Sequence, residues 1–546
     1  MIKPLILIFL ISLFSIVNIY SQPFDMILTG DPVLEDIRYL SLVANRPFLS
    51  FSPPLAPQEV KNFLDLIDDT SLSLPAREAY FRVLERLNPK SNISWEEGIF
   101  HGSLNVNSTL VGRTRFNDEI SLHPHYPKIV PFAAFPLKLS FAEAFQLYIE
   151  PSAAIRPDEY GKNTGDFNIP TGYYTYNESN PLRAFAAAGN SWLNFQIGRD
   201  RLYWGSGHTG GLVFSDNSQF FDFARLSVFG TNFKYSLVVN QMQLELNQNL
   251  FRNDSKINSD WLEDPDNMTR SIHRYFYLHR FDFSIKDRVS IGIMEGVMVG
   301  NSPLELKYLN PVMLFHALFS WEDYDTWDNP EDWEMGDING SILSLEINWN
   351  IVKNFAAYGQ FVLNDFAAPG EKGLQPPNGL GYMAGIQYAH SFNIWASIFF
   401  LEFIYTDPYL NLLSSPFASF IQMNRFNQYY FLGYPRDTVT VTLGTRFFNN
   451  DFLSFSASFS WIASGELNSG GTLKWDWELS EQARNKVTPT GITENKYILS
   501  IGAGWKPHPF VFLQANIAGI ISVNNNHIDG ETAVGGQATF SVGFHY

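Results

Sequence analysis

Residues 452–462 read FLSFSASFSWI, and this alternation of large apolar and small polar side chains decides the fold class. Apolar residues occupy the odd positions from Leu453 to Trp461, and serines occupy the even positions between them. Because successive side chains of a β-strand point to opposite faces, this strand has one apolar face and one polar face. Such a strand is typical of a barrel wall with lipid outside and a polar lumen inside.

The last ten residues, 537–546, repeat the pattern as QATFSVGFHY. The alternate positions are mostly large and apolar, and they end on the aromatic Tyr546. A final strand of this kind resembles the signal read by the barrel-assembly machinery of outer membranes, which would then be a partner. Its predicted physical role is to pair with the first strand, near residues 100–111, so that the sheet has no open edge.

The connections between the period-two segments alternate between short and long, as they do in outer-membrane barrels. Counting strands between them predicts an all-β transmembrane barrel of about 18 antiparallel strands, with a small N-terminal α-helical bundle. The short turns fall at 189–191, 230–232, 286–288, 350–354, 390–393, 449–451 and 506–509, with long polar segments at 152–182, 200–224, 247–271, 300–340, 364–380, 405–437, 464–495 and 523–535.

The N-terminus predicts export followed by a short helical region. Lys3 precedes an apolar run at 4–19, and Ser21 suits a cleavage site, so residues 1–21 are typical of a signal peptide. A membrane anchor is the alternative, although the run is short for one. Helical spacing after Pro32, Pro57 and Pro75 predicts a periplasmic bundle in residues 22–95 and a barrel in residues 96–546.

Composition narrows the function classes. The chain of 546 residues has no cysteine, which excludes disulfides, thiolate metal sites and a cysteine nucleophile. Its formal net charge of −18 argues against nucleic acid as a partner. The aromatic content of 16% suits the girdles that barrels place at both membrane interfaces.

The long segment 321–337, WEDYDTWDNPEDWEMGD, is the candidate binding site. Aromatic rings cover the apolar faces of sugars, and carboxylates accept hydrogen bonds from hydroxyl groups. Calcium binding and a merely solvated acidic loop are the alternatives, and no metal site or cofactor is predicted. The predicted polysaccharide-binding residues are Trp321, Asp323, Tyr324, Trp327, Asp328 and Trp333.

The segment 196–215, QIGRDRLYWGSGHTGGLVFS, combines charged, aromatic and glycine residues. Its glycines would allow a tight loop that folds back into the lumen. Arg199 and Arg201 could pair with acids or hold anionic sugars, and Tyr203 and Trp204 could stack on sugar rings. A structural constriction loop with internal ion pairs is the alternative interpretation.

A hydrolase is a further alternative. His101 and Ser103 lie two residues apart and so share one face of a strand, as a base and a nucleophile would. No third partner can be named, and His123 and His125 are better interpreted as loop residues than as metal ligands. The prediction is that the protein is not an enzyme.

Taken together, the signal peptide, the helical bundle, the barrel and the segments at 198–215 and 307–315 resemble the capsule assembly protein Wzi family. The resemblance implies an outer-membrane, lectin-like monomer that helps bind, attach or assemble capsular or other surface polysaccharide. A porin or solute channel is the rival interpretation. The positions that match the family pattern are Gly198, Arg199, Asp200, Trp204, Gly205, Asn310 and Pro311, with Arg201 and Tyr203 in the same loop.

Overall fold

The computed structural model describes most of the chain, and everything below concerns that part. The described residues are 24–88, 93–97, 100–117, 120, 131–141, 144–157, 163–168, 182–215, 220–245, 271–300, 303–311, 315, 339–365, 377–412, 419–423, 429–449, 453–468, 486–508 and 510–545.

Three short helices follow residue 30, as the sequence predicts. They are α1 (Val33–Val43), α2 (Pro57–Leu64) and α3 (Leu74–Leu87). Asp31 lies just before α1, and its carboxylate accepts a hydrogen bond from the backbone N–H of Val33, the first residue of the helix, at 3.1 Å. Within these described residues, no helix is long and apolar enough to cross a membrane.

The helices bury their apolar stripes against each other and against the barrel. Ile37 of α1 and Val83 of α3 are fully buried in one cluster that also contains Ala356, Ala389 and Ile398 from the barrel. These three barrel residues lie close to short turns, so the bundle sits at the short-turn end. A helix needs such packing because a few turns are marginal alone in water.

Strands make up the rest of the fold. Their bounds are β1 (Ile93–Glu97), β2 (Phe100–Phe116), β3 (Ala133–Ala134), β4 (Leu137–Phe141), β5 (Phe145–Glu150), β6 (Ser152–Pro157), β7 (Asn163–Phe167), β8 (Arg183–Gly189), β9 (Leu193–Asp200), β10 (Phe221–Phe229), β11 (Phe233–Glu245), β12 (Ser271–Ile285), β13 (Val289–Gly300), β14 (Asn339–Val352), β15 (Phe355–Asp365), β16 (Gly379–Phe392), β17 (Trp395–Thr406), β18 (Ile421–Met423), β19 (Tyr429–Phe431), β20 (Thr438–Asn449), β21 (Leu453–Ser464), β22 (Glu494–His508), β23 (Val511–Val523) and β24 (Thr532–His545).

The strand pairings form a closed ring. One sheet holds 22 strands, and β18 and β19 form a separate hairpin. Eighteen of the 22 pair antiparallel in a cycle from β2 through β4, β5, β8 to β17 and β20 to β24. The cycle closes where β24 pairs with β2, from Asn107 opposite His545 to Phe116 opposite Gly536. The predicted barrel of about 18 strands is therefore confirmed.

The remaining four strands lengthen ring strands rather than add to the ring. Strand β1 pairs with the first residues of β2, while β3 and β6 continue β4 and β5 beyond short interruptions, and β7 pairs with β6. Pro136 and Pro151 stand at the two interruptions. Proline cannot donate to a ladder, which explains why the strands break there.

The inner and outer faces of the wall follow the alternation that the sequence shows. In β21, Phe455 and Phe459 point outward and are 44% and 46% exposed. Ser460, on the other face, shares a hydrogen bond of 2.9 Å with Thr442 of the neighbouring strand. The predicted separation of an apolar outer face from a polar inner face is confirmed for this strand.

Candidate functional site

The connection between β9 and β10 folds into the barrel. In this segment, residues 201–215 and here called the inner loop, the side chains of Leu202, Trp204 and Phe214 are fully buried. They share one apolar cluster with residues from the inner faces of β10 to β17. Trp204 meets Phe214 edge to face, with ring centroids 5.2 Å apart. The inner loop therefore occupies the lumen along these strands.

Polar groups of the barrel wall hold the backbone of the inner loop. Buried Glu402 accepts hydrogen bonds from the backbone N–H groups of His208 and Thr209 at 2.7 and 3.0 Å, and also from the Thr209 hydroxyl. Gln360 accepts from the Leu212 N–H at 2.7 Å and donates to the Trp204 carbonyl. These bonds satisfy loop groups that would be costly to bury alone.

His208 is enclosed at the centre of this contact. Its ring stacks on Phe400 at 3.9 Å, and its Nε2 lies 3.2 Å from Gln387 Oε1. Burial lowers the pKa of His208 well below its usual range, and the Arg38 and Arg446 guanidinium groups lower it further. His208 therefore stays neutral at physiological pH and serves as a packing group.

A second set of charges surrounds Trp204. Arg280 pairs with Asp282 at 2.7 Å and with Glu346 at 2.9 Å, and its guanidinium lies 5.6 Å from the Trp204 ring. Ser206 of the inner loop donates to Glu346 at 3.0 Å. A planar guanidinium suits this combination of carboxylates and an aromatic face.

The N-terminal region reaches the inner loop from the other end of the barrel. Arg38 of α1 donates to the carbonyls of Ser206 at 2.5 Å and Gly207 at 3.4 Å. The backbone N–H of Gly205 donates to the Phe51 carbonyl at 2.9 Å. Helix bundle and inner loop thus form one continuous filling, which we call the plug.

On the far side of the barrel, a smaller contact narrows the lumen. Ile120 packs on Ile462, Ile498 and Ile520, which point inward from β21, β22 and β23. This cluster lies toward the long-loop end of those strands. Further toward the short turns on this side, the inward residues Ser454, Gln514 and Asn516 are exposed, so the plug lies mainly along β10 to β17.

The charged residues of the family-pattern segment pair with neighbouring strands, Asp200 on the inner face of the wall and Arg199 on the outer face. Arg199 binds Asp222 with two hydrogen bonds of 2.7 and 2.5 Å. Buried Asp200 accepts from Arg183 at 2.6 Å and from the Arg201 N–H at 2.7 Å. The Arg201 guanidinium lies 5.1 Å from the Phe220 ring. These pairs fasten the ends of β9 and β10 to neighbouring strands.

The two glycines and the tyrosine of that loop have backbone roles. Gly198 has φ +134°, and a Cβ there would approach the Ala184 carbonyl oxygen to 2.5 Å. Gly205 has φ +142° and lies against Gln360. The Tyr203 hydroxyl donates to the carbonyls of Gly207 and Gly210. Since the Trp204 ring is fully buried, it could not stack on a sugar unless the loop moved.

Asn310 and Pro311 follow a 3-10 turn, Leu306–Leu309, in the connection after β13. Both residues are exposed. Tyr308, two positions earlier, is buried and packs on Tyr277 with ring centroids 4.9 Å apart. This second family-pattern segment lies on the barrel wall, apart from the inner loop.

The predicted sugar-binding residues cannot be compared with this geometry. Trp321, Asp323, Tyr324, Trp327, Asp328 and Trp333 all lie outside the described residues, as do His123 and His125. Both ends of their connection are described: β13 ends at Gly300, and β14 begins at Asn339. These ends lie opposite the short turns.

The pair weighed as a hydrolase is placed only by its backbone. His101 and Ser103 both lie on β2, in register with Glu96 and Ser94 of β1. Among the described residues, no group of three or more histidine, aspartate or glutamate side chains could hold a metal ion.

Several residues that hold the inner loop were not predicted from the sequence: Glu402, Gln360 and Arg280 of the barrel wall, and Arg38 of α1. Each pairs with a group far away along the chain; Glu402 and His208, for example, are 194 residues apart. For the three wall residues, the only signal in the sequence that could have found them was a charged or amide side chain at an inward position of a strand.

The closed ring and its filling define a class: a plugged β-barrel with an N-terminal helical bundle. Residues 133–435 match the family described as capsule assembly protein Wzi, and the chain belongs to this family. A solved structure of Wzi from Escherichia coli, titled an outer-membrane protein involved in group 1 capsule assembly and a carbohydrate-binding β-barrel, has a TM-score of 0.56. The match covers 93% of this chain and 97% of that one, at 13% identity, and shows a shared fold.

Two Pseudomonas aeruginosa barrels superpose less well. OprD has a TM-score of 0.40 at 8% identity, covering 82% of this chain and 95% of its own. OccK1 (OpdK) has a TM-score of 0.42 at 9% identity, covering 82% of this chain and 98% of its own. No curated protein matches this sequence.

Proposed function

We propose that this chain is an outer-membrane, non-enzymatic barrel that binds capsular or other surface polysaccharide and helps to attach or assemble it. Membership of the Wzi family supports the proposal. The related Escherichia coli barrel carries carbohydrate binding and capsule assembly in its title. On this proposal, the signal peptide at 1–21 directs export, the bundle in residues 22–95 faces the periplasm, and residues 96–546 form the barrel.

The plug is the observation that carries the proposal. Glu402, Gln360 and Arg38 fasten the inner loop in the lumen with hydrogen bonds to its backbone. A solute channel needs an open path, and the plug obstructs the lumen along β10 to β17. Binding of a polymer is then best served by the connections at the long-loop end, which are external in outer-membrane barrels.

The segment 321–337 is the proposed contact surface within those connections. Its tryptophans and Tyr324 would cover the apolar faces of sugar rings, while Asp323 and Asp328 accept hydrogen bonds from hydroxyl groups. Each such contact is weak, but a repeating polymer offers many at once, and the combined affinity rises accordingly. A stable protein–polymer contact therefore needs no deep pocket.

Removing the rings tests the contact surface. We expect the triple variant Trp321→Ala, Trp327→Ala and Trp333→Ala to retain several-fold less surface polysaccharide on whole cells, because its stacking surface is lost. Retention is measured on cells that carry equal amounts of folded barrel.

The matched control removes three tryptophans from the short-turn end: Trp192, Trp349 and Trp505 are 45%, 48% and 50% exposed there. Equal retention by the two triple variants would contradict the proposed contact surface.

Two further partners belong to the same proposal. Outer-membrane lipid would cover the apolar outer wall, and the barrel-assembly machinery would recognise β24. A ring that closes on itself needs no second chain to satisfy its edges, which is why we propose that the protein is a monomer.

A further inference from the structure

The plug leaves one side of the lumen uncovered. Toward the short-turn ends of β21 and β23, the inward side chains of Ser454, Gln514 and Asn516 are exposed. Near the short turns of β16 and β17, by contrast, the inward residues Ala389 and Ile398 are buried under the helical bundle. A recess therefore lies between the plug and the inner face of β2 and β20 to β24, and we call it the side recess.

Small polar residues line the wall of the side recess. One row of directly opposed inward residues runs across five strands: Ser456, Gly502, Asn516, Thr539 and Arg113. Neighbouring strands lie about 4.8 Å apart, so this row is about 19 Å long, which suits a chain of several sugar rings better than a single one. Its hydroxyl and amide groups can exchange hydrogen bonds with sugar hydroxyls.

Two arginines lie on the β2 side of the side recess. The Nε groups of Arg113 and Arg115 both donate to the side-chain oxygen of Gln537, at 3.2 and 3.1 Å. The amide nitrogen of Gln537 donates in turn to the Thr539 hydroxyl at 3.3 Å. Because the shared acceptor is a neutral amide, it holds the two guanidinium groups side by side without cancelling their charge.

Other inward cations around the side recess are paired with carboxylates. Lys138 of β4 pairs with Asp25 at 3.2 Å, and Arg446, at the other end of the row, pairs with Glu35 of α1. Within the part of the chain that the structure describes, Arg115 has the neutral amide as its hydrogen-bond partner instead. A recess with uncancelled positive charge on its wall attracts anions, even in a chain of net charge −18.

An isoleucine contact bounds the side recess toward the long loops. Ile120 packs there on three inward isoleucines of the wall, among them Ile520. Ile520 lies opposite Gly535, which is two residues beyond Gln537 on β24. The arginines therefore lie at the inner end of the side recess, and the exposed inward residues lie at its short-turn end. On the proposed function, this end faces the periplasm.

We propose that the side recess binds a carboxylate-bearing sugar chain that enters from the periplasmic side. Arg113 and Arg115 hold a carboxylate of the chain, because a guanidinium group matches a carboxylate with paired, charge-assisted hydrogen bonds. Asn516 and Thr539 of the same row bind hydroxyl groups of the neighbouring sugars.

This inference rests on the proposed function and deepens it, since it makes the polysaccharide acidic and adds a site in the lumen to the external contact surface at 321–337. It leaves the plug and the proposed monomer unchanged. The external surface is tested by retention of polysaccharide on whole cells, and the side recess by binding to the purified barrel, so that each can fail separately.

Titration of the purified full-length barrel with two sugar hexamers tests the site. We expect a hexamer of galacturonic acid to bind about tenfold more tightly than maltohexaose, which is neutral, and this preference to shrink as salt is added. Arg113→Gln together with Arg115→Gln should lower the affinity for the acidic hexamer about tenfold and leave that for maltohexaose unchanged. The matched control, Arg288→Gln together with Lys353→Gln, removes two exposed cations from the short turns and should change neither affinity.

A second variant keeps both arginines and fills the recess instead. Asn516→Trp places a large ring at an exposed inward position and should also weaken binding of the acidic hexamer several-fold. Equal affinity of the parent protein for the two hexamers, or an equal loss in both charge variants, would overturn the site. Unchanged binding by Asn516→Trp would do the same, because the acidic chain would then lie outside the side recess.

Cysteine labelling tests from which side the chain enters, since the protein has no cysteine of its own. We expect Ser454→Cys to react with a membrane-impermeant maleimide only after the outer membrane has been permeabilised. Equal labelling in intact cells would contradict entry from the periplasm. Loss of surface polysaccharide in the triple tryptophan variant, alongside a parent barrel with no preference for the acidic hexamer, would overturn this inference alone and leave the proposed function standing.

Discussion

Glu402 shows how a single residue fixes the plug. Its carboxylate accepts from two backbone N–H groups and the Thr209 hydroxyl of the inner loop, and from the Tyr358 hydroxyl of the wall at 2.7 Å. The side chain is 1% exposed, so water does not compete for these donors. Such a carboxylate stabilises the fold because its removal would leave several buried donors without an acceptor, which is costly.

We expect Glu402→Ala to lower the free energy of unfolding by about 3 kcal/mol, because it leaves several buried donors without an acceptor. The measurement is the urea concentration at which the purified barrel loses its compact form on unheated gels. Glu402→Gln keeps one oxygen acceptor and should lose less.

Glu531 is an exposed glutamate at the long-loop end, and Glu531→Ala is the control. If Glu402→Ala unfolds at the same urea concentration as Glu531→Ala, the plug does not depend on this carboxylate.

At the residue scale, the sequence predicts which face of a strand a side chain occupies but not its partner. Phe455 and Ser460 lie on the faces that alternation predicts. Nothing in the alternation shows that Glu402 would meet His208, because that contact depends on the path of a connection across the lumen. The ring of Trp204 was an open choice between sugar binding and packing, and its burial favours packing.

Among the elements, the helical bundle depends on one buried ion-pair group. Asp25 accepts from Arg86 of α3 at 2.8 Å, from Lys138 of β4 at 3.2 Å and from Gln146 of β5 at 2.7 Å. It therefore ties the start of the N-terminal segment to both α3 and the barrel. Burial alone would raise the pKa of Asp25, but Arg86 and Lys138 outweigh it and hold the pKa below its usual value.

Because the pKa of Asp25 is lower in the folded than in the unfolded protein, its carboxylate stabilises the fold at neutral pH and ceases to do so in acid. The carboxylate stabilises the fold above its unfolded pKa of about 3.9, and this contribution is lost as the pH falls through the folded value. We expect the N-terminal segment to become sensitive to protease only in that acid range. Asp25→Asn should be sensitive already at neutral pH, with a loss of about 2 kcal/mol, because two half-buried cations lose a charged partner.

The control for this prediction is Asp65→Asn, at an exposed position after α2. The measurement is the rate of limited proteolysis between pH 7 and 3 in detergent. Identical pH profiles for Asp25→Asn and the parent protein would contradict the assignment.

The helices and most strands could be predicted because each signal is local. Proline at 57 and 75 and the apolar spacing that follows it identify α2 and α3 closely. The packing of Tyr308 and Phe315 on the outside of β12 could not be predicted, since both residues belong to a long polar connection with no strong period. Their position depends on the space outside β12 and β13, which no local pattern describes.

For the whole molecule, the plug predicts low electrical conductance. In planar bilayers, we expect the purified barrel to show no steady open steps, because the inner loop and the bundle obstruct the lumen along β10 to β17. Replacing residues 203–213 by a short Gly-Ser linker should raise the conductance by removing Trp204 and its cluster. Steady open steps from the parent protein would support the porin interpretation instead.

The number of strands and the closure of the ring were predictable for a different reason. Short and long connections alternate along the whole chain, so a mistake at one strand hardly changes the number of strands that the alternation predicts. The weaker region lies between β3 and β9, where strands are short and broken at prolines. The plug depends on side-chain packing among segments that are distant along the chain, and local sequence patterns do not predict such packing.

The pairing of Asn107 with His545 joins residues 438 positions apart. Bringing such distant segments together carries a large loop-closure entropy, and folds rich in such contacts form slowly. The seam between β2 and β24 is thus the last ladder that an emerging chain can complete. Until it forms, the edges of β2 and β24 are unpaired and can pair with the wrong strands. A chaperone that shields these edges therefore matters more here than for a protein built only from neighbouring hairpins.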